Sequence, residues 1–311
     1  MKKILSLDGG GIKGVFTLGV LSKFEEFAGN PINKYFDLIV GTSTGGIIAL
    51  GLGKGFTANE LLGFYSDLGK KIFSGNRFLK SIRHFGTSKY SNLELKKSLE
   101  EKFGSTLLGE SKTRLVIPSQ VLENGSVHLY KTAHNNRFKD DYKVKMADIG
   151  LATSAAPSYF PSFRSNSGLL LLDGGTYANN PIAIAAVEAV GILKWDINDI
   201  HILSIGCTTE PLDIKLAKRF SLGLSYWATK ILDLIMKGQS SVAEGMAKHL
   251  SNYNLVRIDE IVSKNKFKLD STKVIKDLKA LGEEKGRNNF QDVAYLFEKF
   301  IDEFDPIYKI N

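Results

Sequence analysis

Two short segments near the start of the chain carry residue types that could do chemistry together. Ile4-Leu5-Ser6-Leu7 runs into Asp8-Gly9-Gly10-Gly11-Ile12-Lys13-Gly14, and Leu38-Ile39-Val40 runs into Gly41-Thr42-Ser43-Thr44-Gly45-Gly46. The second has the form of a nucleophile elbow, in which an apolar strand makes a tight turn with Ser43 at its apex and enters a helix. Gly41 and Gly45 keep the crossing chains free of side chains there. In the first segment, Gly9, Gly10 and Gly11 leave backbone N–H groups free to face a developing anion at the head of a helix. A third segment, Leu169 to Leu172, ends in Asp173-Gly174-Gly175, an acid that two glycines leave uncrowded. A nucleophile, an anion cradle and a carboxylate at three strand ends point to acyl transfer.

The elements that would position these groups can be read from pattern. With 30 Gly in 311 residues a lone G-x-S-x-G carries little weight, so the case rests on what flanks it. Tyr35 to Val40 is apolar or aromatic at every position but Asp37, and Ile47-Ile48-Ala49-Leu50 suits a helix. A strand over Lys3–Leu7 feeds a helix from about Lys13 to Ala28, broken by Gly29-Asn30-Pro31. Thr57-Ala58-Asn59-Glu60 is a capping box that opens a helix to about Phe73, and Asn92 is expected to cap the next, which ends near Gly104. Arg114–Leu122 and Ser126–Lys131 read as a hairpin around Glu123-Asn124-Gly125. Ala147–Ser154 reads as helix, Leu169–Leu172 and Ile200–Ile205 as buried strands, and Pro181 as the first turn of a helix reaching Leu193. From Leu212 the pattern is mostly helical, ending in an amphipathic helix near Asn289–Phe304. Alternating strands and amphipathic helices predict a mainly parallel sheet between helix layers. Residues 1–210 form the expected catalytic core and 211–311 a helical extension packed on it, in one structural domain.

Bulk properties narrow the class. Hydrophobic content of 43% and charged content of 24% are those of a globular protein. The single Cys207 excludes an internal disulfide, fits a cytoplasmic location, and reads as a small core residue rather than a nucleophile. No apolar run approaches a membrane span, so any membrane contact is expected to be peripheral. Much of the net charge of +8 lies between Lys70 and Lys97, where eight basic residues stand against Glu94. Within it Phe78, Leu79, Ile82 and Phe85 recur at helical spacing. Such an element suits either a solvated helix packed on its own core or one resting on an anionic bilayer. No nucleic-acid module accompanies the charge, which argues against a polymer partner. No Asp/His/Glu cluster has metal-ligand spacing, so no metal or cofactor is expected.

The order DGGGIKG, GTSTGG, ATSAAPSYFPSF (Ala152–Phe163) and LDGGTYANNP (Leu172–Pro181) resembles the patatin-like phospholipase family over residues 1 to about 210. The resemblance implies a three-layer patatin-like fold and a lipid acyl hydrolase that cleaves fatty-acyl esters of phospholipids. It also implies a Ser–Asp dyad in which Asp173 is the base for Ser43, through an acyl-serine intermediate. A lone carboxylate serves as a base when it is partly desolvated, so Asp173 is expected to titrate above its usual range. Asp8, Gly14, Gly174 and Gly175 support the motifs. Lys13 stands where the family frequently carries Arg and lacks its planar fork. Asn179-Asn180-Pro181 is expected to fix the loop after Asp173. Some bacterial relatives of this family are lipases switched on by a cyclic nucleotide second messenger in antiphage defence, and the resemblance extends that alternative to this chain.

Two rival readings of the same residues stay open. His201 and His249 follow Asp173, so a Ser–Asp–His order is formally available. The run Gly9-x-Gly11-x-x-Gly14 after a strand also satisfies a dinucleotide fingerprint, with Asp37 near the required distance but before its strand instead of after it.

Overall fold

The computed structural model describes residues 1–73, 88, 90–211, 231–263, 266–267 and 274–310. Its centre is a mixed sheet of eight strands: β1 Lys2–Leu7, β2 Leu38–Gly41, β3 Arg114–Val121, β4 Val127–Lys131, β5 Phe163–Arg164, β6 Leu170–Asp173, β7 Ile200–Ile205 and β8 Leu255–Ile258. The strand order is β5-β6-β3-β2-β1-β7-β8, with β4 also paired to β3. β3, β2, β1, β7 and β8 run parallel, whereas β4 and β6 run antiparallel to β3.

Alternation along the strands divides the core into two layers. Leu5, Leu7, Ile39, Leu203 and Ile205 face one cluster, while Ile4, Leu38, Val40, Ile200 and Ile202 face the other. The first is covered by α1 (Gly14–Ala28) and α2 (Thr44–Lys54), with α3 (Ala58–Phe73) beside them. The capping box predicted at Thr57 is formed in both directions, Thr57 N donating to Glu60 Oε2 at 2.7 Å and Glu60 N to Thr57 Oγ1 at 3.2 Å. Next come α4 (Leu93–Phe103), α5 (Met146–Thr153) and the short α6 (Gly175–Ala178). The second cluster is covered by α7 (Ile182–Val187) and α8 (Ile231–Leu250). The helix begun at Pro181 continues past α7 only as a π-helical turn, Glu188–Ile192.

Several sequence expectations are corrected. Asn92 precedes α4 but its side chain makes no cap; the Leu93 amide donates instead to Ser91 Oγ at 3.2 Å. The strand expected at Leu169–Leu172 is Leu170–Asp173 and is half-buried, with Leu171 and Asp173 inside and Leu170 and Leu172 partly exposed, because only one of its faces meets the core; Leu169 lies exposed before it. In the stretch read as a mostly helical tail, Leu255–Ile258 is a strand that extends the sheet beside β7. The last helix, α9, spans Ile275–Val293 and gives way to a 3-10 turn at Ala294–Phe297. Beyond it the chain is held without a helix, by Ile301 N to Lys34 O at 2.9 Å and Ile307 N to Ala133 O at 2.8 Å. The amphipathic pattern at Phe78–Phe85 lies outside the described residues.

α9 makes α1 an interior helix. Gly282 comes so close that a Cβ there would lie 2.2 Å from Phe16 O. Below this crossing, Phe24, Phe290 and Phe297 stack with centroids 5.5 to 5.7 Å apart, and Tyr35 and Phe36 join Phe297 at 5.1 and 5.7 Å.

Candidate active site

Ser43, Asp173 and the loop Gly9–Gly11 converge at one edge of the sheet, where β1, β2 and β6 end. After β2, Thr42 leads to Ser43, whose φ of 54° and ψ of −119° are strained for a side chain larger than glycine. The strain is imposed by packing. A Cβ at Gly41 would lie 2.1 Å from Gly45 O, and one at Gly45 would lie 2.3 Å from Leu7 O. The first turn of α2 therefore sits directly on the end of β1. Hydrogen bonds hold the apex on both sides: Thr42 Oγ1 donates to Ala178 O at 2.7 Å, and Ser43 N donates to Thr153 Oγ1 at 3.0 Å. Thr153 Oγ1 in turn donates to Pro118 O at 2.7 Å.

The register of the sheet brings the acid to the serine. Val40 pairs with Val116 and Asp173 pairs with Ser119, so Ser43 and Asp173 are reached at the same level from strands on either side of β3. Ser43 Oγ donates to Asp173 Oδ2 at 2.7 Å. The other carboxylate oxygen accepts the Gly175 amide at 2.6 Å. Asp173 is buried, and burial pushes its carboxyl up to about 6, against the bonds from Ser43 and Gly175 that favour the ion. Gly174 is required for close approach, since a Cβ there would meet Pro118 O at 2.4 Å.

The glycine loop lies across from Ser43. The Gly9 amide donates to Asn179 O at 2.9 Å, so it is occupied. The amides of Gly10 and Gly11 have no hydrogen-bond partner among the described residues, and Gly11 has a φ of 56°. Lys13 pairs with Glu210 at 3.6 Å. Gly14 opens α1 against Thr44, whose Oγ1 would lie 2.4 Å from a Cβ at that position. Asn180 has the structural role expected of it, its Oδ1 accepting the Ile182 amide at 3.2 Å.

The four described histidines contact neither Ser43 nor Asp173. His201 starts β7 at the opposite edge of the sheet and packs on Tyr295, and His249 bonds Tyr253 at 3.3 Å. His128 faces Asp141, and His134 lies between Thr132 and Glu188. His84 lies outside the described residues. Asp37, the acid a dinucleotide site would require, instead accepts the Lys3 amide at 2.9 Å at the start of β1. Cys207 is buried beside Gly10 and within 3.2 Å of Thr17 Oγ1, a core residue as expected.

A sequence model described as patatin-like phospholipase matches residues 5–186. The chain belongs to the patatin-like phospholipase family. It is 34% identical over 260 residues to a cGAMP-activated phospholipase of Pseudomonas aeruginosa, covering 83% of this chain and 78% of that one. A cGAMP-activated phospholipase of Vibrio cholerae is 31% identical over 83% of this chain and 81% of its own. A cUMP-AMP-activated phospholipase of Escherichia coli is 30% identical over 70% of each. This patatin-like protein is accordingly an enzyme, a lipid acyl hydrolase with the three-layer fold of its family. No helix of its described residues is long and apolar enough to cross a membrane.

One side chain close to the patatin motifs was missed in the sequence. Asp8, the first residue of the glycine loop, is gripped by Arg257 of β8, with Nη1 to Oδ1 at 2.9 Å and Nη2 to Oδ2 at 2.6 Å. The short run Leu255-Val256-Arg257-Ile258, three apolar residues around one charge after the turn at Asn252, was the available signal for this strand, and it does not alternate.

Proposed function

We propose that this enzyme cleaves fatty-acyl esters of phospholipids at a membrane surface, through an acyl-Ser43 intermediate and with Asp173 as the only base. The observation that carries this reading is the 2.7 Å bond from Ser43 Oγ to a buried carboxylate whose second oxygen is taken by a backbone amide. Asp173 takes the Ser43 proton as Oγ attacks the ester carbonyl. The Gly10 and Gly11 amides, without a hydrogen-bond partner among the described residues, receive the negative charge that develops on the carbonyl oxygen. Protonated Asp173 then delivers its proton to the departing alkoxide of the lysolipid. In the second half, Asp173 deprotonates water, which attacks the acyl-serine; the fatty acid leaves and Ser43 recovers the proton. Gly9 contributes to the shape of the cradle rather than a donor.

A second reading adds control. The relatives named for activation by cyclic oligonucleotides align over 70% to 83% of this chain, which supports a gated enzyme of antiphage defence. A soluble ligand of that kind would govern access to a site whose chemistry is already assembled, and membrane contact would be peripheral.

One experiment tests both. Hydrolysis of a short-chain p-nitrophenyl ester and of mixed phospholipid vesicles is measured for wild type, Ser43→Ala and Asp173→Asn, with and without a panel of cyclic di- and trinucleotides. Both variants are expected to be silent under every condition, and wild type to accelerate with one nucleotide. Activity retained by Asp173→Asn would overturn the dyad, and rapid wild-type turnover without nucleotide would overturn the gate.

A further inference from the structure

Three consecutive glycines give the loop Gly9–Gly11 the conformational freedom to aim its amides, and no side chains with which to hold that aim. Its position must come from its flanks. On one flank Gly14 is seated against Thr44; on the other is Asp8. Asp8 is buried, and its carboxylate meets the Arg257 guanidinium through two parallel bonds of 2.9 and 2.6 Å, the fork geometry that fixes a carboxylate in plane.

The guanidinium is itself immobilised. Nη1 also donates to Ser204 Oγ at 2.7 Å and Nη2 to Asp259 Oδ2 at 3.0 Å. Asp259 is pinned by the Thr208 amide and Thr209 Oγ1, both at 2.9 Å. Nε faces Glu244 Oε1 of α8 at 3.5 Å, and the same oxygen is approached by Asn180 Nδ2 at 3.4 Å. Asn180 follows Asn179, whose carbonyl holds the Gly9 amide. Arg257 thus reaches the glycine loop twice, through Asp8 and through the Glu244–Asn180–Asn179 path, from a strand beyond the 5–186 span of the family match.

We propose that Arg257 is a positioning residue for acyl transfer, clamping Asp8 so that the Gly10 and Gly11 amides point at the developing oxyanion. This rests on the reading of those amides given above. Displacing a reacting group by about 1 Å can lower the rate about a hundredfold. Lysine keeps the charge but offers a single point contact, so it cannot hold the carboxylate plane.

The test is steady-state hydrolysis of a soluble p-nitrophenyl ester by the full chain, with a cyclic oligonucleotide present if wild type needs one. Arg257→Lys, Asp8→Asn, the double variant and Ser43→Ala are compared, each first shown to melt cooperatively. In Arg257→Lys kcat is expected to fall about a hundredfold with KM within about threefold, a split that a merely stabilising ion pair would not produce. Asp8→Asn should do the same, and the double variant should be no worse than either. A folded Arg257→Lys or Asp8→Asn with wild-type kcat, or with its loss confined to KM, overturns the proposal while silent Ser43→Ala leaves the dyad standing. Activity in Ser43→Ala instead removes the reading on which the proposal rests. Should Arg257→Lys not fold, Asp8→Asn reads the same contact from its other side.

Discussion

The two oxygens of Asp173 have separate partners: Oδ2 accepts from Ser43 and Oδ1 from the Gly175 amide. In triad enzymes the acid orients a histidine; here it faces the nucleophile directly, and its burial gives it a basicity that a solvated carboxylate lacks.

The first consequence is a pH limit on activity. Burial pushes the Asp173 carboxyl up to about 6, so if Asp173 is the base, as proposed, activity is lost as pH falls below that value. Plots of log kcat/KM should therefore fall by about one unit per pH unit below pH 6. The same limb should persist in His201→Ala and His249→Ala, with activity within a few-fold of wild type. A loss above about a hundredfold in either variant, the scale of removing a general base, would restore a histidine to the mechanism.

Stability should run against activity at this residue. The folded carboxyl is raised from an ordinary 3.8 to about 6, so its favourable contribution is complete below pH 3.8 and disappears as pH rises through 6. At neutral pH the buried ion costs the fold about 3 kcal/mol on this account. Asp173→Asn should be more resistant to urea than wild type at pH 8, with the gap closing toward pH 4. An Asn variant that is weaker at pH 8, or a gap that ignores pH, contradicts the assignment.

At the α1–α9 crossing, Gly282→Ala sets two effects against each other. Alanine improves helix propensity by about 1 kcal/mol. Its Cβ would sit 2.2 Å from Phe16 O and 3.1 Å from the Gly19 Cα, both backbone atoms that cannot rotate away. Separating the helices should cost about 1–3 kcal/mol and outweigh the gain, so the melting temperature should fall. A neutral or raised melting temperature would mean that α9 is not seated on α1 as described.

Cys207 should be inert. Burial pushes its thiol up to about 12, despite the Thr17 bond that favours the thiolate. An aromatic disulfide reagent should find no reactive thiol in the native protein and one after unfolding. Cys207→Ala should keep esterase activity within a few-fold, at a stability cost of about 1 kcal/mol. Rapid native labelling that also stops hydrolysis would contradict this.

Much of the site was legible before the structure because its chemistry is local. The elbow and the glycine loop each consist of a strand end, glycines and a helix start, and short-range sterics dictate all three. The capping box at Thr57 and the hairpin turn at Gly125 were legible for the same reason. Asp173 could be placed beside Ser43 by family likeness but not by pattern, because the pairing of β6 to β3 joins residues as far apart in sequence as Ser119 and Asp173. Asn92 misled because its residue type suits a cap while the neighbouring Ser91 reached the free amide first. β8 was missed because four residues carry little periodicity and lie within the stretch after Leu212 that reads as mostly helical. Arg257 was hidden with it: a surface-like charge becomes a half-buried clamp only once β8 is laid against β7.

That placement also sets an order of manufacture. Asp8 leaves the ribosome 249 positions ahead of Arg257, the residue of β8 that grips it. Ser43 and Asp173 are both synthesised long before the clamp on the glycine loop can close. If the clamp governs the loop as proposed, a chain interrupted short of β8 is a blunt tool, and the power to dismantle lipids arrives only once that strand has been made.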